Sequence, residues 1–388
     1  MDNDSLARVP GCQYAKKCGG CQMQNMSYGE QLGYKQAQVR RLIGPFCPVE
    51  PIIGMADPYH YRNKVQAAFG VDRRGRILSG VYQSSSHRIV PVSDCQIEDR
   101  TADWIIRSIR QMMPAFKMTA YNEYTGQGFL RHVLVKRGFA TGEVMVVLVA
   151  STPMFKAQKP FVAALREKHP EITTILLNVN DKFTSLVLGQ QEKVLYGKGT
   201  IEDVLCGCRF RISARSFYQI NPRQTEILYA KAVEYAGLSG TEKVLDAYCG
   251  IGTIGLVASR CAGKVTGVEL NRDAVQDAIA NAKLNGIQNC WFVCGDATEF
   301  MSRMAAGGES ADVVFLDPPR AGSTETFIRS LAQMAPRRAV YISCNPETLA
   351  RDLKVFVRCG YRPLRAQPVD MFPHTHHIEC VVLLERKG

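Results

Sequence analysis

The sequence lacks the segments that mark membrane-spanning and secreted proteins. No apolar run reaches the roughly 18 residues that a spanning helix needs, and the first residues, MDNDSLARVP, lack the basic-then-apolar order of a signal peptide. Solenoid-type repeats and low-complexity segments are also missing. These absences argue against membrane, secreted and repeat proteins, so we expect a cytoplasmic chain with no membrane partner.

Length and charge narrow the class further. The 388 residues, 46% of them hydrophobic, can build two or three separate cores. A formal net charge of +12 and a pI of about 9.1 favour a polyanionic partner such as nucleic acid. No feature indicates a protein partner, and we expect a monomer.

The 14 cysteines have no secretory context and therefore indicate thiols, metal ligands or catalysts rather than a disulfide framework. Cys12, Cys18 and Cys21 form a C-x5-C-x2-C pattern with two glycines that let the backbone wrap tightly. Thiolates hold iron-sulphur clusters and zinc in fours, and the fourth ligand is often remote. Cys95 is the first candidate for it and Cys47 the competing one; the spacing leaves cluster and zinc open.

The hydrophobic pattern divides the chain into parts. Residues 27–46 show helical spacing, residues 61–196 show short β-branched runs, and strands alternate with helices from about residue 210. Such alternation is typical of a mostly parallel, doubly wound sheet. The predicted parts are an N-terminal cysteine segment, 1–26; a helix, 27–50; a smaller β-rich central domain, 51–208; and an α/β domain, 209–388.

The central domain carries cations next to aromatic residues, which suits phosphate neutralisation and base stacking in an RNA-binding surface. A solvated basic sheet face would explain any single one of them equally well. The cations are Arg62, Lys64, Arg73, Arg74, Arg76, Arg88, Arg131, Lys136 and Arg137, and the aromatics are Tyr59, Tyr61, Tyr82, Phe129 and Phe139.

A glycine-rich turn and four acidic residues predict the cofactor. The turn DAYCGIGTIG follows a strand and precedes a helix, where open α/β sheets bind ligands, although such a turn alone also suits a dinucleotide. Asp246, Glu269, Asp296 and Asp317 end successive predicted strands. Acidic residues suit a sulphonium and repel a pyrophosphate. The series resembles the S-adenosylmethionine methyltransferase fold, in which these carboxylates meet the ribose, the adenine and the reacting group.

Cys344, in YISCNPETLARDL, separates two chemistries that the Asp317-Pro-Pro motif allows. Methylation of an exocyclic amine needs no thiol, whereas methylation at uracil C5 needs a nucleophile that adds to C6 and makes C5 reactive. A carboxylate must then remove the C5 proton. Glu379 opens the last apolar strand and is the predicted base. A structural thiol is the alternative for Cys344 alone.

Together these motifs resemble the RNA uracil-C5-methyltransferase family, most closely the branch that acts on 23S ribosomal RNA and holds a four-iron, four-sulphur (4Fe-4S) cluster. The resemblance covers nearly the whole chain, through CxxxxxCGGCQ, MSYxxQLxxKQ, SFYQINPxQTExLY, DAYCGIGTIGL, DPPRAG, YISCNPxTLARDL and THHIECVVLLE. It implies S-adenosylmethionine-dependent methylation of a uridine that is flipped out of folded RNA. Transfer RNA is the alternative substrate, and a non-catalytic RNA-binding factor is the alternative class.

The resemblance also implies roles for individual residues. Cys344 would be the nucleophile, Glu379 the base, and the helix at 27–50 would pack with the catalytic domain. The cluster ligands would be Cys12, Cys18, Cys21 and Cys95, and the cofactor site would comprise Gln219, Tyr248, Thr253, Glu269, Asp296 and Asp317. Many relatives begin with a small RNA-binding β-barrel; only 11 residues precede Cys12 here, so we expect that barrel to be lacking.

Overall fold

The protein folds into two compact units in a computed structural model that describes residues 11–83, 86 and 88–388. The first ten residues of the predicted segment 1–26 lie outside the described part. The first unit comprises the chain up to Asn25, Pro58–Val204 and Arg211–Arg215, and the second comprises Met26–Asp57, Leu205–Phe210 and Ser216–Gly388. Residues 51–57 therefore lie with the second unit, although the predicted boundary groups them with the central domain.

The first unit is built on a seven-stranded sheet with the order β3-β2-β1-β4-β5-β6-β7. Neighbouring strands are antiparallel except β5 and β6, which are parallel and joined by helix α4. The strands are β1 Lys64–Val71, β2 Ile77–Tyr82, β3 Ile89–Pro91, β4 Leu130–Arg137, β5 Val144–Ala150, β6 Ile172–Val179 and β7 Gln191–Tyr196; the helices are α1 Ala15–Cys18, α3 Arg100–Met112 and α4 Gln158–Lys168.

The two longer helices of this unit were not predicted from the β-branched pattern. Helix α3 buries Ile105, Ile106 and Ile109 against the sheet, and α4 buries Phe161 and Leu165. Their apolar residues recur at helical rather than alternating spacing, which marks an amphipathic helix. The short strands on either side dominate the composition of the region and obscured this period.

The second unit carries a seven-stranded sheet with the order β12-β11-β10-β13-β14-β16-β15. The strands β12, β11, β10, β13 and β14 are parallel, and β16 is antiparallel to both of its neighbours. The strands are β10 Lys243–Ala247, β11 Lys264–Glu269, β12 Cys290–Cys294, β13 Val313–Leu316, β14 Arg338–Ser343, β15 Tyr361–Val369 and β16 Glu379–Arg386. The predicted doubly wound, Rossmann-like α/β fold is confirmed.

Helices cover this sheet. They are α2 Tyr28–Ile43, α5 Pro222–Ala236, α6 Thr253–Ala258, α7 Arg272–Leu284, α8 Ala297–Ala306, α9 Glu325–Met334 and α10 Pro346–Arg358. A two-stranded ribbon, β8 Ile201–Leu205 and β9 Cys208–Ile212, lies between β7 and α5 in the chain. Within the described residues, no helix combines the length and the apolar character needed to cross a bilayer.

Helix α2 begins with a capping box: the Ser27 side chain accepts a hydrogen bond from the N–H of Glu30, and the Glu30 side chain accepts one from the N–H of Ser27. Val39 and Ile43 are fully buried in the core of the second unit. An ion pair without solvent exposure also holds the helix: Lys35 Nζ lies 2.6 Å from Asp370 Oδ1 in the segment between β15 and β16. Helix α2 therefore fixes the chain that leads into Glu379.

Candidate functional site

Several predicted site residues of the second unit lie at one edge of its sheet. Strands β10, β11, β13 and β14 are parallel, so their carboxyl ends lie along the same edge. Asp246 and Glu269 belong to the last residues of β10 and β11, while Asp317 and Cys344 directly follow β13 and β14. This is the edge at which ligands bind in open α/β sheets.

The turn between β10 and α6 is shaped by its backbone. Tyr248, Gly250 and Gly252 all adopt positive φ angles, of 66°, 56° and 83°. The N–H of Gly250 donates to Glu269 Oε2 at 3.0 Å, and the N–H of Gly255 donates to Asp246 Oδ2 at 2.8 Å. The two carboxylates thus hold the turn in place, and each oxygen keeps further acceptor capacity.

Two features of this turn suit a ligand with the positive charge of S-adenosylmethionine. A Cβ atom built on Gly250 would meet no atom within 4 Å, so a ligand can approach the backbone there. The other oxygen of Asp246, Oδ1, is buried and has no hydrogen-bond partner among the described residues. Burial raises the pKa of Asp246 to about 8 and the pKa of Asp317 to about 7. A cationic ligand would favour the ionised form of both carboxyl groups.

Other predicted cofactor residues line the same turn. Thr253 Oγ1 lies 3.0 Å from the hydroxyl of Tyr229, and the Tyr229 hydroxyl also bonds to the side chain of Gln219. The ring of Tyr248 packs against Phe327, with 5.6 Å between the ring centroids. Tyr229 is the last residue of the motif SFYQINPxQTExLY, but no role was predicted for it. It is buried, and its two hydrogen bonds hold the side chains of Thr253 and Gln219 in place.

Asp296 has a clear structural role. It is exposed, and its side chain caps helix α8 by accepting hydrogen bonds from the N–H groups of Thr298 at 2.8 Å and Glu299 at 3.0 Å. Capping residues of this kind stabilise a helix by about 1 kcal/mol. The cap explains an aspartate here without a ligand, and contact with adenine stays a prediction.

The pairing of β14 with β16 brings the predicted nucleophile and base together. Ser343 pairs with Cys380 at the end of this antiparallel ladder, so Cys344 and Glu379 occupy the next step. Burial, together with Glu379 and Asp317, raises the pKa of Cys344 to about 11. Glu379 is only 5% exposed. Burial and the neighbouring Asp317 raise its pKa well above the usual value.

Arg320 supplies the opposing charge. It lowers the pKa of both Cys344 and Glu379. A guanidinium nitrogen of Arg320 lies 3.1 Å and 3.2 Å from the two ring nitrogens of His377. Arg320 belongs to the motif DPPRAG, but sequence analysis assigned it no role. Its position three residues after Asp317 was the feature of the sequence that could have indicated a role at the site.

The first unit contains the predicted cluster ligands. Cys12, Cys18, Cys21 and Cys95 all line one cavity of about 350 Å³. Burial raises the pKa of Cys18, Cys21 and Cys95. A Cβ atom on Gly20 would lie 3.3 Å from Cys18 Sγ, so this glycine allows close wrapping of the loop.

The donor set of this cavity consists of soft thiols, which suits an iron-sulphur cluster or zinc. Among the described side chains, no three His, Cys, Asp or Glu groups are arranged to hold a single metal ion. Cys47, the alternative fourth ligand, instead packs in the hydrophobic core of the second unit. Arg62 and Glu98 also line the cavity of the cysteines.

The interpretation of the central cations as an RNA-facing set is wrong for some members. Arg131 is only 2% exposed, and it donates to both carboxylate oxygens of Glu123 at 3.1 Å. Lys136 is 5% exposed and donates to the carbonyl oxygen of Ser213. Tyr61 is buried as well. These side chains stabilise the first unit, because a buried cation needs partners in place of water.

The chain is similar in sequence to known RNA methyltransferases. Residues 27–387 match the family model described as tRNA (Uracil-5-)-methyltransferase. A protein of Caldanaerobacter subterraneus subsp. tengcongensis, named an uncharacterized RNA methyltransferase, is 44% identical over 97% of this chain and 84% of its own length. A protein of Halalkalibacterium halodurans with the same description is 45% identical over 97% of this chain and 83% of its own length.

A solved structure extends the comparison to the fold. The tRNA (uracil-54, C5)-methyltransferase of Pyrococcus abyssi, in complex with S-adenosyl-L-homocysteine, aligns with a TM-score of 0.79 and 28% identity, over 94% of this chain and 85% of that one. With the family model and the two relatives, this match supports S-adenosylmethionine-dependent methylation of RNA. The chain belongs to the RNA uracil-C5-methyltransferase family.

Proposed function

We propose that the protein methylates C5 of a uridine in 23S ribosomal RNA, with Cys344 as nucleophile and Glu379 as base. The observation that carries this proposal is the register of β14 and β16, which puts a thiol and a carboxyl group at adjacent positions beside Asp317. Methylation of an amine would require no such pair. The resemblance of the cysteine motif to the ribosomal branch supports the choice of RNA.

The chain's residues act in a definite order in this proposal. S-adenosylmethionine supplies an electrophilic methyl group when it is bound at the turn that Asp246 and Glu269 hold. Cys344 loses its proton to water and its sulphur bonds to C6 of the uracil, so that the electron pair of the C5–C6 double bond becomes available at C5. C5 bonds the methyl group while the methyl–sulphur bond breaks, and S-adenosylhomocysteine leaves with the electron pair of that bond. Glu379 in its ionised form then removes the C5 proton, and the electron pair of that bond expels the Cys344 thiolate. Arg320 stabilises the ionised forms of both side chains.

The first experiment transfers labelled methyl groups to unmodified 23S ribosomal RNA and to unmodified transfer RNA. Wild type should label ribosomal RNA as 5-methyluridine, and Cys344→Ala should label neither RNA. Cys261→Ala, which changes an exposed cysteine, is the matched control and should retain activity. Label that persists in Cys344→Ala would contradict the covalent mechanism.

Transfer RNA is the second candidate substrate, and two of the comparisons favour it. The family model and the Pyrococcus abyssi structure both bear descriptions as tRNA methyltransferases. Label confined to transfer RNA would therefore keep the proposed chemistry and replace the proposed target.

Glu379→Gln tests the base separately from the nucleophile. The variant keeps the shape of the side chain but cannot take the C5 proton, so a covalent protein–RNA adduct should accumulate and survive a denaturing gel. The double variant with Cys344→Ala should form no adduct. A Glu379→Gln enzyme that turns over at the wild-type rate would refute the assignment.

We also propose that Cys12, Cys18, Cys21 and Cys95 hold a 4Fe-4S cluster that shapes the first unit without taking part in methyl transfer. Their shared cavity and all-thiol chemistry support this assignment. An anaerobic preparation should contain about four iron and four sulphide ions per chain. Cys95→Ser should lose most of this iron, whereas Cys261→Ser should not. Zinc without sulphide would overturn the cluster.

A further inference from the structure

The second unit has a large groove on the outside of its last helix. This α10 groove, of about 1040 Å³, is lined by the loop 321–324, the outer face of α10, the beginning of β15 and the residues Pro45 and Phe46 after α2. None of the predicted site residues lines it. The groove is therefore a separate feature from the cofactor turn and from Cys344.

Cations follow the groove along α10. Arg351, Lys354 and Arg358 are exposed and occupy positions i, i+3 and i+7, which places them on one helix face over a length of about 10 Å. Arg362 and Lys387 continue the row at the end of the groove. Leu349, Leu353 and Phe356 of the same helix are buried in the core instead.

The acidic residues of the groove are already neutralised. Asp352 is buried and accepts hydrogen bonds from the Tyr341 hydroxyl at 2.7 Å and from Arg351 Nε at 2.8 Å. Glu325 pairs with Arg329 at 2.6 Å and lies 3.9 Å from Arg358.

Among the described residues, the remaining cations of the groove have no acidic partner. Across the part of the chain that the structure describes, no ion pair involves Lys354, Arg362 or Lys387. The groove therefore carries surplus positive charge, which suits a polyanion.

Arg351 connects the groove with the catalytic edge. A guanidinium nitrogen of Arg351 donates to the carbonyl oxygens of Ala321 at 2.8 Å and Ser323 at 3.1 Å. These carbonyls belong to the loop that continues directly from Asp317 and Arg320. A chain bound in the groove would thus lie against the same loop that borders the reacting group.

We propose that the α10 groove binds the phosphodiester backbone of the RNA substrate on the strand next to the target uridine. Lys354, Arg362 and Lys387 neutralise phosphates, and the apolar wall at Pro45 and Phe46 contacts sugar or base surfaces. This anchor is independent of sequence. It rests on the proposed RNA methylation but does not depend on which RNA is methylated.

The test compares two triple variants of equal charge. The groove variant is Lys354→Gln, Arg362→Gln, Lys387→Gln, and the control variant is Lys243→Gln, Lys283→Gln, Arg303→Gln at exposed positions outside the groove. Binding of RNA is measured between 50 and 200 mM salt, together with KM and kcat on the RNA that wild type methylates.

The expected difference follows from counterion release. Three lost phosphate contacts reduce the salt slope by about 2 to 3, so wild-type affinity should fall about 16- to 64-fold more than that of the groove variant over this fourfold salt range. At low salt the groove variant should show a raised KM and an unchanged kcat. The control variant should follow wild type.

Two results would overturn the proposal that the groove binds RNA. One is a salt slope and KM equal to those of wild type, and the other is the same loss in both triple variants, which would reflect general charge. Failure of the proposed methylation is distinguishable, because wild type would then transfer no methyl group while the binding comparison would still report on the groove.

Discussion

Removing one member of the buried Lys35–Asp370 pair should destabilise the second unit strongly. Both side chains have no solvent exposure, and Asp370 is bonded by Lys35 Nζ at 2.6 Å and by the Tyr28 hydroxyl at 2.9 Å. Lys35→Met preserves most of the side-chain volume but leaves a buried carboxylate with one neutral donor. The expected cost is about 3 to 5 kcal/mol.

A double variant separates the charge effect from the loss of packing. Lys35→Met with Asp370→Leu removes both charges, and Tyr28 keeps a partner because its oxygen accepts the N–H of Met55 at 2.7 Å. We expect this variant to be more stable than Lys35→Met, since no uncompensated charge remains. An exposed control, Lys283→Met, should change stability by less than about 0.5 kcal/mol.

The assay can be confined to the second unit, because the chain has only two tryptophans and each unit contains one. In a Trp104→Phe background, the fluorescence of Trp291 reports urea unfolding of the second unit alone. A cost below about 1 kcal/mol for Lys35→Met would refute the argument. So would a double variant whose cost equals the sum of its two single variants.

Two further predictions concern the cofactor turn and the neighbouring strand β11. The native state retains a proton on Asp246, with its pKa near 8, that the unfolded chain releases near pH 4, so the free energy of unfolding should fall as pH rises from about 4 to 8. Asp246→Asn should reduce the slope of this dependence in urea titrations; the part that Asp317 contributes, with its pKa of about 7, should remain. A dependence as steep as that of wild type would contradict the assignment. Gly267→Ala should cost about 1 to 3 kcal/mol, because its Cβ would lie 2.6 Å from Phe292 and 2.9 Å from Cys249 Sγ. A melting temperature unchanged from wild type would show that this packing can relax.

The positions of residues at the ends of successive strands were the easiest to predict from the sequence. Asp246, Glu269 and Asp317 each stand next to an apolar run, and parallel strands bring such ends to one edge without any knowledge of side-chain contacts. Helix α2 was predicted because the helical spacing of its apolar residues is a local signal.

Features that depend on distant pairing escaped prediction. Lys35 and Asp370 are 335 residues apart, and nothing near either residue marks a buried ion pair.

Strand β15 was also missed, because Pro363 and Pro368 interrupt its pattern; the strand tolerates them at the edge of the sheet, where fewer ladder bonds are needed.

The charges around Cys344 lead to a final prediction about the order of events. Its pKa of about 11 results from burial and from Glu379 and Asp317, and Arg320 offsets this only in part. Free enzyme therefore holds a neutral thiol, which is a weak nucleophile. A sulphonium bound beside Asp317 adds a positive charge to the same site and should lower the pKa of Cys344.

Alkylation of Cys344 by a small reagent measures this effect directly, if the modified peptide is quantified by mass spectrometry. S-adenosylmethionine should accelerate the reaction, by about tenfold for each unit by which the pKa falls while the thiol stays mostly protonated. S-adenosylhomocysteine is the matched control, since it differs only by the methyl group and its charge, and it should not accelerate the reaction. Cys294, which is exposed, should react equally in all samples. Equal rates for Cys344 with both ligands would show that cofactor charge does not activate the thiol, and would leave proton transfer within the RNA complex as the step that generates the nucleophile.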